Sequence, residues 1–186
     1  MTVIAAVRSG PVPESADVVY LPVEEGVNGR DDAVTAIAVF HSDALPPLDR
    51  AEAYRVDEHV QWDRGGATVA RISFVRRAPG MAHEEFARHW TEVHTPLARA
   101  HHPGICRYVQ NVVVEPLTAD APDVDGIAEL GFASLDDFRD RMYDSPEGRE
   151  IIAADVRTFL DVGAGWRMLA RPTRFGVTFP TSEGGK

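Results

Sequence analysis

Residues 86–97 read Phe-Ala-Arg-His-Trp-Thr-Glu-Val-His-Thr-Pro-Leu, a spacing that predicts an amphipathic helix. Four apolar residues share one narrow sector of that helix: Phe86, Trp90, Val93 and Leu97. His94 lies one ridge to the side, so we expect its imidazole to face partly inward. Imidazole exchanges protons near neutral pH. His94 is therefore either an acid–base catalyst in a partly closed pocket or a core-edge histidine bonded to a backbone carbonyl.

This helix lies inside a longer series of short motifs. The motifs are FVRRAPG (74–80), Glu85-Phe86, His89-Trp90, VHTPL (93–97), Pro103-Gly104 and RYVQN (107–111). In this order and spacing, the chain from about residue 67 to residue 175 resembles an EthD domain, a branch of the dimeric α/β-barrel superfamily. The first 66 residues lie outside the resemblance.

The resemblance implies an α+β fold. In it a ferredoxin-like βαββαβ unit forms an antiparallel sheet with helices on one face, and that sheet pairs with a second sheet. The resemblance also implies cofactor-free chemistry on small hydrophobic molecules, without naming a substrate. We therefore divide the chain into an N-terminal β-rich segment (1–66), an EthD-like domain (67–176) and a flexible tail (177–186).

The composition argues against several classes of partner. A formal net charge of −10 disfavours binding to nucleic acid or to an anionic membrane. No apolar run approaches the roughly 18 residues that span a bilayer. The first residues also lack the basic start and long apolar centre of a secretory signal, so we predict a cytoplasmic protein.

The sequence shows no motif for a metal or a cofactor. Cys106 is the single cysteine, so it has no partner for a disulfide or a thiolate metal site. His89 and His94 are five residues apart, about 140° around a helix, which is poor geometry for one ion. Phosphate-binding glycine loops, a G-x-S-x-G elbow and dinucleotide fingerprints are missing. We predict no metal and no cofactor.

Hydrophobic periodicity predicts the elements of the EthD-like domain. Strands are expected at 68–75, 105–114, 127–133 and 166–170. A helix is expected from about His83 to Ala100, with a kink or an early end near His94 caused by Pro96. Ser134 is the predicted cap of a second helix, whose pattern breaks at Ser145-Pro146 and then resumes. The proline- and aspartate-rich stretch 115–126 is predicted to be a mobile loop and a candidate lid.

The first 66 residues are predicted to form strands at Val3–Val7, Ala33–Phe40 and Ala53–Trp62. The last two echo the third and fourth strands of the later unit, as an eroded copy of the same half-barrel would. In that case one chain closes its own pseudo-dimeric barrel. Otherwise the segment decorates a homodimer, which we favour slightly because an open sheet with an uncovered apolar face needs a partner.

Strand alternation assigns side chains to the two faces of the sheet. Ala70, Ile72 and Phe74 share one side, which we expect to meet the helices. Arg71 and Glu129 then share the other side and form a cross-strand pair with a structural or interfacial role. A carboxylate beside an arginine stays ionised and is a poor proton donor, so Glu129 is not our catalytic candidate.

We place the candidate site between the sheet and the first helix, with His94 as acid or base. Tyr108 or Asn111 would donate a hydrogen bond to a substrate carbonyl. Their odd separation puts them on opposite faces of a regular strand, so only a bulge would let both contribute. Each also has a structural interpretation, Tyr108 as core and Asn111 as a partner of loop backbone. The candidate substrate-binding residues are Phe86, His89, Trp90 and Leu97, although Trp90 also fits a plain core position.

Three functional hypotheses follow. The first is a cofactor-independent enzyme that uses His94 for proton transfer on a small hydrophobic cyclic or aromatic carbonyl compound, as a dehydratase, cyclase or isomerase. The second is a noncatalytic binding or accessory protein for a hydrophobic metabolite in a catabolic or biosynthetic pathway, and a cofactor-free monooxygenase is a further alternative. The third is a dimerisation module without a ligand, which predicts a packed centre and no ligand-sized cavity.

Overall fold

Eight antiparallel strands close one barrel in the computed structural model, which describes residues 1–23, 34–42, 45–48 and 50–173. The strands are β1 (Thr2–Val7), β2 (Val18–Pro22), β3 (Ala36–Phe40), β4 (Ala51–Asp63), β5 (Val69–Val75), β6 (Ile105–Pro116), β7 (Gly126–Phe132) and β8 (Trp166–Thr173). Around the barrel they follow the order β1-β3-β2-β8-β5-β7-β6-β4, and β4 pairs back with β1. The predicted barrel is confirmed.

The helices belong to the second half of the chain. Helix α1 covers residues 83–101 in three continuous segments: α-helical His83–Arg88, π-helical His89–His94 and α-helical Thr95–His101. Helices α2 (Leu135–Asp140) and α3 (Pro146–Phe159) follow β7. In the described part of the chain, no helix is long and apolar enough to cross a membrane.

The two halves of the barrel have the same strand connectivity. Strands β5 to β8 lie side by side as β8-β5-β7-β6, so the fourth strand of the set is followed by the first, the third and the second. Strands β1 to β4 repeat that order as β4-β1-β3-β2. Both faces of the expected open sheet are therefore covered within one chain, and the uncovered face that favoured a homodimer does not exist. Homodimerisation and the domain division at residue 66 stay predictions.

Most predicted elements of the second half lie where their patterns indicated. Ser134 caps α2 by accepting a hydrogen bond from the Asp137 amide at 3.0 Å, and Ser145 caps α3 from the Gly148 amide at 2.9 Å. Strand β2 was missed because its five residues show no clean alternation beside a proline-rich stretch. The predicted tail at 177–186 lies outside the described residues.

The loop after β6 is tied to the end of the barrel. The Tyr54 hydroxyl donates to the Pro122 carbonyl at 2.9 Å, and Ala121 and Val124 pack against the barrel core. The side chain of Asp125 accepts from the Arg77 amide at 2.9 Å. This loop does not contribute to the cavity described below, so the lid interpretation is wrong.

The face assignment of β5 was also wrong. Its alternate apolar residues pack inside the barrel, not against the helices: Ala70, Ile72 and Phe74. Arg71 lies opposite Leu130 in the register with β7, on the outer, helix-covered face. Glu129 faces the barrel side and pairs with Arg107 at 2.7 Å, so the expected Arg71–Glu129 pair does not form. Alternation grouped the residues correctly within each strand, but it matched the wrong group of β5 to the outer group of β7, because helices cover one face of the sheet and the closed barrel buries the other.

Candidate functional site

A cavity of about 660 Å³ lies between the outer face of the sheet and helices α1 and α3. Strands β5 to β8 form its floor, and side chains of α1 and α3 form its walls. A smaller pocket of about 170 Å³ borders it along β5, β8 and the end of α3, and shares Arg71, Ser73 and Arg167 with it. A cavity of this size is large enough for a small organic molecule.

The π-helical segment of α1 turns His94 toward this cavity. A π-helical turn closes between residues i and i+5, so it contains one residue more than an α-helical turn and shifts the phase of the residues that follow. Val93, expected on the buried stripe, is 47% exposed, whereas His94 is only 7% exposed. The Trp90 carbonyl in this turn accepts hydrogen bonds from the Thr95 hydroxyl at 3.2 Å and the Gln110 side chain at 3.0 Å. These bonds hold the turn against β6.

Asp155 of α3 orients the His94 ring. Its carboxylate lies 2.7 Å from His94 Nδ1 and 2.8 Å from His89 Nε2. Burial alone would raise the pKa of Asp155, but the hydrogen bonds from His94 and His89 outweigh burial and lower it. The ionised carboxylate therefore accepts a hydrogen bond from His94 Nδ1–H, and Nε2 is the ring nitrogen that does not contact Asp155. Within the described residues, Nε2 has no hydrogen-bond partner.

Tyr108 of β6 presents a hydroxyl group to the same cavity. Its oxygen accepts hydrogen bonds from the Trp90 indole N–H at 3.0 Å and the Gln110 amide at 2.9 Å. Burial raises the pKa of Tyr108 to about 12, despite these two donors, so the phenol stays protonated at neutral pH. Nothing in the part of the chain that the structure describes accepts its proton, so the O–H group is a donor for a bound molecule.

Asn111 lies on the opposite side of the sheet from Tyr108. Its amide donates to the Ile127 carbonyl at 3.1 Å, and the side chain is buried. Strand β6 pairs regularly with β7 from Arg107 to Val112, so no bulge there turns Asn111 outward. Of these two residues, Tyr108 lines the cavity and Asn111 does not.

The four predicted substrate-binding residues separate into two groups. Trp90 lines the cavity. Phe86 is fully buried behind it, with its ring centroid 5.3 Å from that of Trp90. His89 stacks on Phe159 at 4.7 Å and shares the Asp155 carboxylate, and Leu97 is partly buried elsewhere on α1. Phe86, His89 and Leu97 are not among the residues that line the cavity.

A second histidine of the cavity wall, His102, is held neutral. Its ring donates from Nδ1 to the Met142 carbonyl. Burial lowers the pKa of His102 to about 4, against the opposing effect of that carbonyl. Across the described residues, no group of three or more His, Cys, Asp or Glu side chains is arranged to hold a metal ion.

Sequence reasoning missed Asp155 and Gln110. It also did not predict that Arg71 lies on the outer, helix-covered face of the sheet. Asp155 and His94 are 61 residues apart, and no local pattern links them. Gln110 lies in the RYVQN motif. It is two residues from Tyr108 and therefore shares its face of the strand, which was the available signal.

Comparison with known proteins identifies one domain. Residues 78–163 match the family model of the EthD domain. The chain carries an EthD domain. The matched segment contains α1, β6, β7, α2 and α3, and with them His94, Tyr108 and Asp155. Strands β5 and β8, which complete the floor of the cavity, lie outside it.

A solved structure shares the fold over nearly the whole length of the chain. It is described as a "Crystal structure study of anthrone oxidase-like protein", and it superposes with a TM-score of 0.57 at 11% sequence identity. The alignment covers 98% of this chain and 95% of that chain, so the similarity includes the first half of the barrel. No curated protein matches the sequence significantly.

Proposed function

We propose that this EthD-domain protein is an acid–base enzyme that transfers a proton on a small hydrophobic cyclic or aromatic carbonyl compound. One observation carries the proposal: a histidine held through Nδ1 by Asp155 and a tyrosine with an uncommitted O–H group line the same cavity. Enolisation needs a base at the carbon beside the carbonyl and a donor at the carbonyl oxygen.

The residues have distinct roles in this reaction. His94 Nε2 removes the proton from the carbon next to the carbonyl, and the electron pair of the broken C–H bond moves to the oxygen as an enolate. Tyr108 donates its hydrogen bond to that oxygen, while Asp155 stabilises the imidazolium through Nδ1. Return of the proton to another carbon completes an isomerisation. Transfer of the proton to a β-hydroxyl group, whose C–O bond breaks as the enolate electrons form a C=C bond, releases water and completes a dehydration. Attack of the enolate carbon on a second carbonyl of the substrate, whose oxygen takes the proton, completes a cyclisation. A positioned general base contributes roughly two to four powers of ten in rate.

The barrel supports a finer structural proposal. We infer that it is a single-chain counterpart of a ferredoxin-like dimeric α/β barrel, in which residues 1–66 replace the second subunit. The shared strand order of the two halves supports this. The helices that cover the cavity belong to one half only, within the described residues.

Proton exchange tests the function without knowledge of the product. Phenolic ketones and lactones are incubated with the protein in D2O, and loss of the proton NMR signal beside each carbonyl is followed. We expect His94→Gln to slow this exchange by about 10²- to 10⁴-fold. His89→Gln is the matched control, because His89 shares Asp155 but lies outside the cavity wall. Equal exchange in wild type and His94→Gln would overturn the proposal, as would tight binding of a carbonyl compound with no exchange in the wild type.

The structural neighbour favours one alternative reaction. Its description as anthrone oxidase-like suggests that the carbanion formed by the same proton transfer reacts with dioxygen. An oxygen electrode separates the two reactions. Consumption of one O2 per turnover would indicate cofactor-free oxygenation, whereas proton exchange without oxygen uptake supports the isomerase or lyase chemistry.

A further inference from the structure

Four arginines line the cavity: Arg71, Arg149, Arg157 and Arg167. No aspartate or glutamate is found among the described residues of its lining; Asp161 lines the adjoining pocket, and Asp155 lies behind His94, bound to its ring. The chain as a whole carries a formal charge of −10. A positively charged cavity in an acidic protein points to an anionic ligand.

Arg71 has no ionic partner in the described structure. Its one hydrogen bond runs from Nε to the Ser73 hydroxyl at 3.3 Å. Arginines elsewhere in the chain are paired, Arg107 with Glu129 at 2.7 Å and Arg77 with Asp125. Burial lowers the pKa of Arg71, and the charge of Arg167 lowers it further, yet a guanidinium remains protonated. A partly buried cation without a counter-ion is costly, and a ligand carboxylate would offset that cost.

The sheet register places this cation at a defined position relative to Tyr108. Tyr108 lies opposite Leu130, and Leu130 lies opposite Arg71, so the three form one row across β6, β7 and β5. In the neighbouring row, Ser73 lies opposite Arg167. Adjacent strands are about 4.8 Å apart, so Arg71 and Tyr108 are anchored roughly 10 Å apart on the cavity floor. That separation is the scale of a substituted aromatic ring.

We propose that the cavity binds a hydrophobic acid whose carboxylate is held by Arg71 and Arg167, with its carbonyl end directed toward Tyr108 and His94. A guanidinium and a carboxylate match in a two-point hydrogen-bonded geometry. Trp90 and Leu130 supply apolar surface beside the ring. Only the direction of the ligand's carbonyl end rests on the proposed function. The match between the arginines and the ligand carboxylate does not depend on catalysis. Both arginines lie outside the segment that matches the EthD model.

The test compares 2-naphthoate with 2-naphthamide, which differ in charge and little in shape. Isothermal titration of the wild-type protein is expected to show about tenfold tighter binding of the acid, since hydrogen bonds to charged groups are roughly twice as strong as neutral ones. Arg71→Gln should remove the preference, and Arg167→Gln should reduce it. Arg71→Lys, which keeps the charge without the planar fork, should retain part of it. Arg88→Gln, at an exposed position of α1 outside the cavity, should leave it unchanged.

Equal affinity of the wild type for acid and amide would overturn the inference, and this result does not depend on whether any variant folds. Retention of the full preference in folded Arg71→Gln would also overturn it. Sulfate is the probe for a nonspecific anion site, and displacement of naphthoate by millimolar sulfate contradicts a site built for an aromatic acid. The same titration with His94→Gln separates the two proposals: the acid preference should persist there even if the wild type shows no proton exchange.

Discussion

Trp90 donates its indole N–H to the hydroxyl oxygen of Tyr108 at 3.0 Å, and both side chains are buried. The bond joins the π-helical segment of α1 to β6 at the wall of the cavity. Gln110, fully buried beside them, donates to the same oxygen. Because the phenol oxygen accepts two hydrogen bonds, the rotation of the hydroxyl group is fixed, and only its proton is left to bond a ligand.

Tyr108→Phe should destabilise the protein by about 1–3 kcal/mol, because it leaves the buried Trp90 N–H without its acceptor. Urea denaturation at pH 7 measures the loss. Tyr143→Phe is the control, since Tyr143 also lines the cavity but its hydroxyl makes no hydrogen bond within the described structure. The two variants should differ clearly, and equal losses would argue against the Trp90–Tyr108 bond.

Asp155→Asn should release the His94 ring from its fixed tautomer. In the wild type, neutral His94 should carry its proton on Nδ1, facing the carboxylate, and an amide holds that proton less strongly than a charged acceptor does. Long-range proton–nitrogen NMR spectra of the imidazoles report the tautomer directly. Asp144→Asn, which removes the partner of His101 instead, should leave the His94 signals in place. An unchanged His94 spectrum in Asp155→Asn contradicts the assigned role.

Gly126→Ala should destabilise the fold by about 1–3 kcal/mol through overpacking. A Cβ atom at Gly126 would overlap the Trp90 indole, with Cη2 only 2.9 Å away and the Phe86 ring at 3.0 Å. Gly163→Ala is the matched substitution, because its nearest atom would be Asp161 Oδ1 at an ordinary 3.6 Å. Thermal denaturation of the pair checks the prediction, which fails if both variants melt alike.

His102 should make stability depend on pH in the mildly acidic range. Its pKa is about 4 in the fold and 6.5 as the ordinary value, so the unfolded chain binds the extra proton between these limits. Stability is therefore full above pH 6.5, falls as the pH drops toward 4, and is lower by about 3 kcal/mol at the end of that window. Urea unfolding at pH 7 and pH 5 should show a difference of about 2 kcal/mol from this group. That part of the difference should vanish in His102→Asn, and an unchanged difference would contradict the assignment.

Sequence patterns predicted those features of the fold that depend on residues close together in the chain. The second-half strands, the helix start near His83 and the Ser134 cap follow from periodicity and from side-chain capping within a few residues. The π-helical turn was not predicted, because one of the two side-chain bonds to its Trp90 carbonyl comes from Gln110, 20 residues away in the sequence.

The site was predicted in part for a related reason. His94, Trp90 and Tyr108 share a motif-bearing region and meet at one cavity. Asp155 became visible only when α3 packed against α1. The orientation of Arg71 depends on which face of β5 meets the barrel interior. Because both faces of β5 are buried, the alternation of its residues does not show which face that is.

The single-chain barrel has a consequence for how the protein can vary. In a two-fold dimer, every substitution occurs twice and each half must keep a working cavity. Here the described residues of the first half, 1–23, 34–42, 45–48 and 50–63, contribute strands without a helix, and the cavity with its histidine, tyrosine and arginines lies in the second half. A substitution in the second half therefore need not be matched by one in the first, whose strands have only to keep the barrel closed.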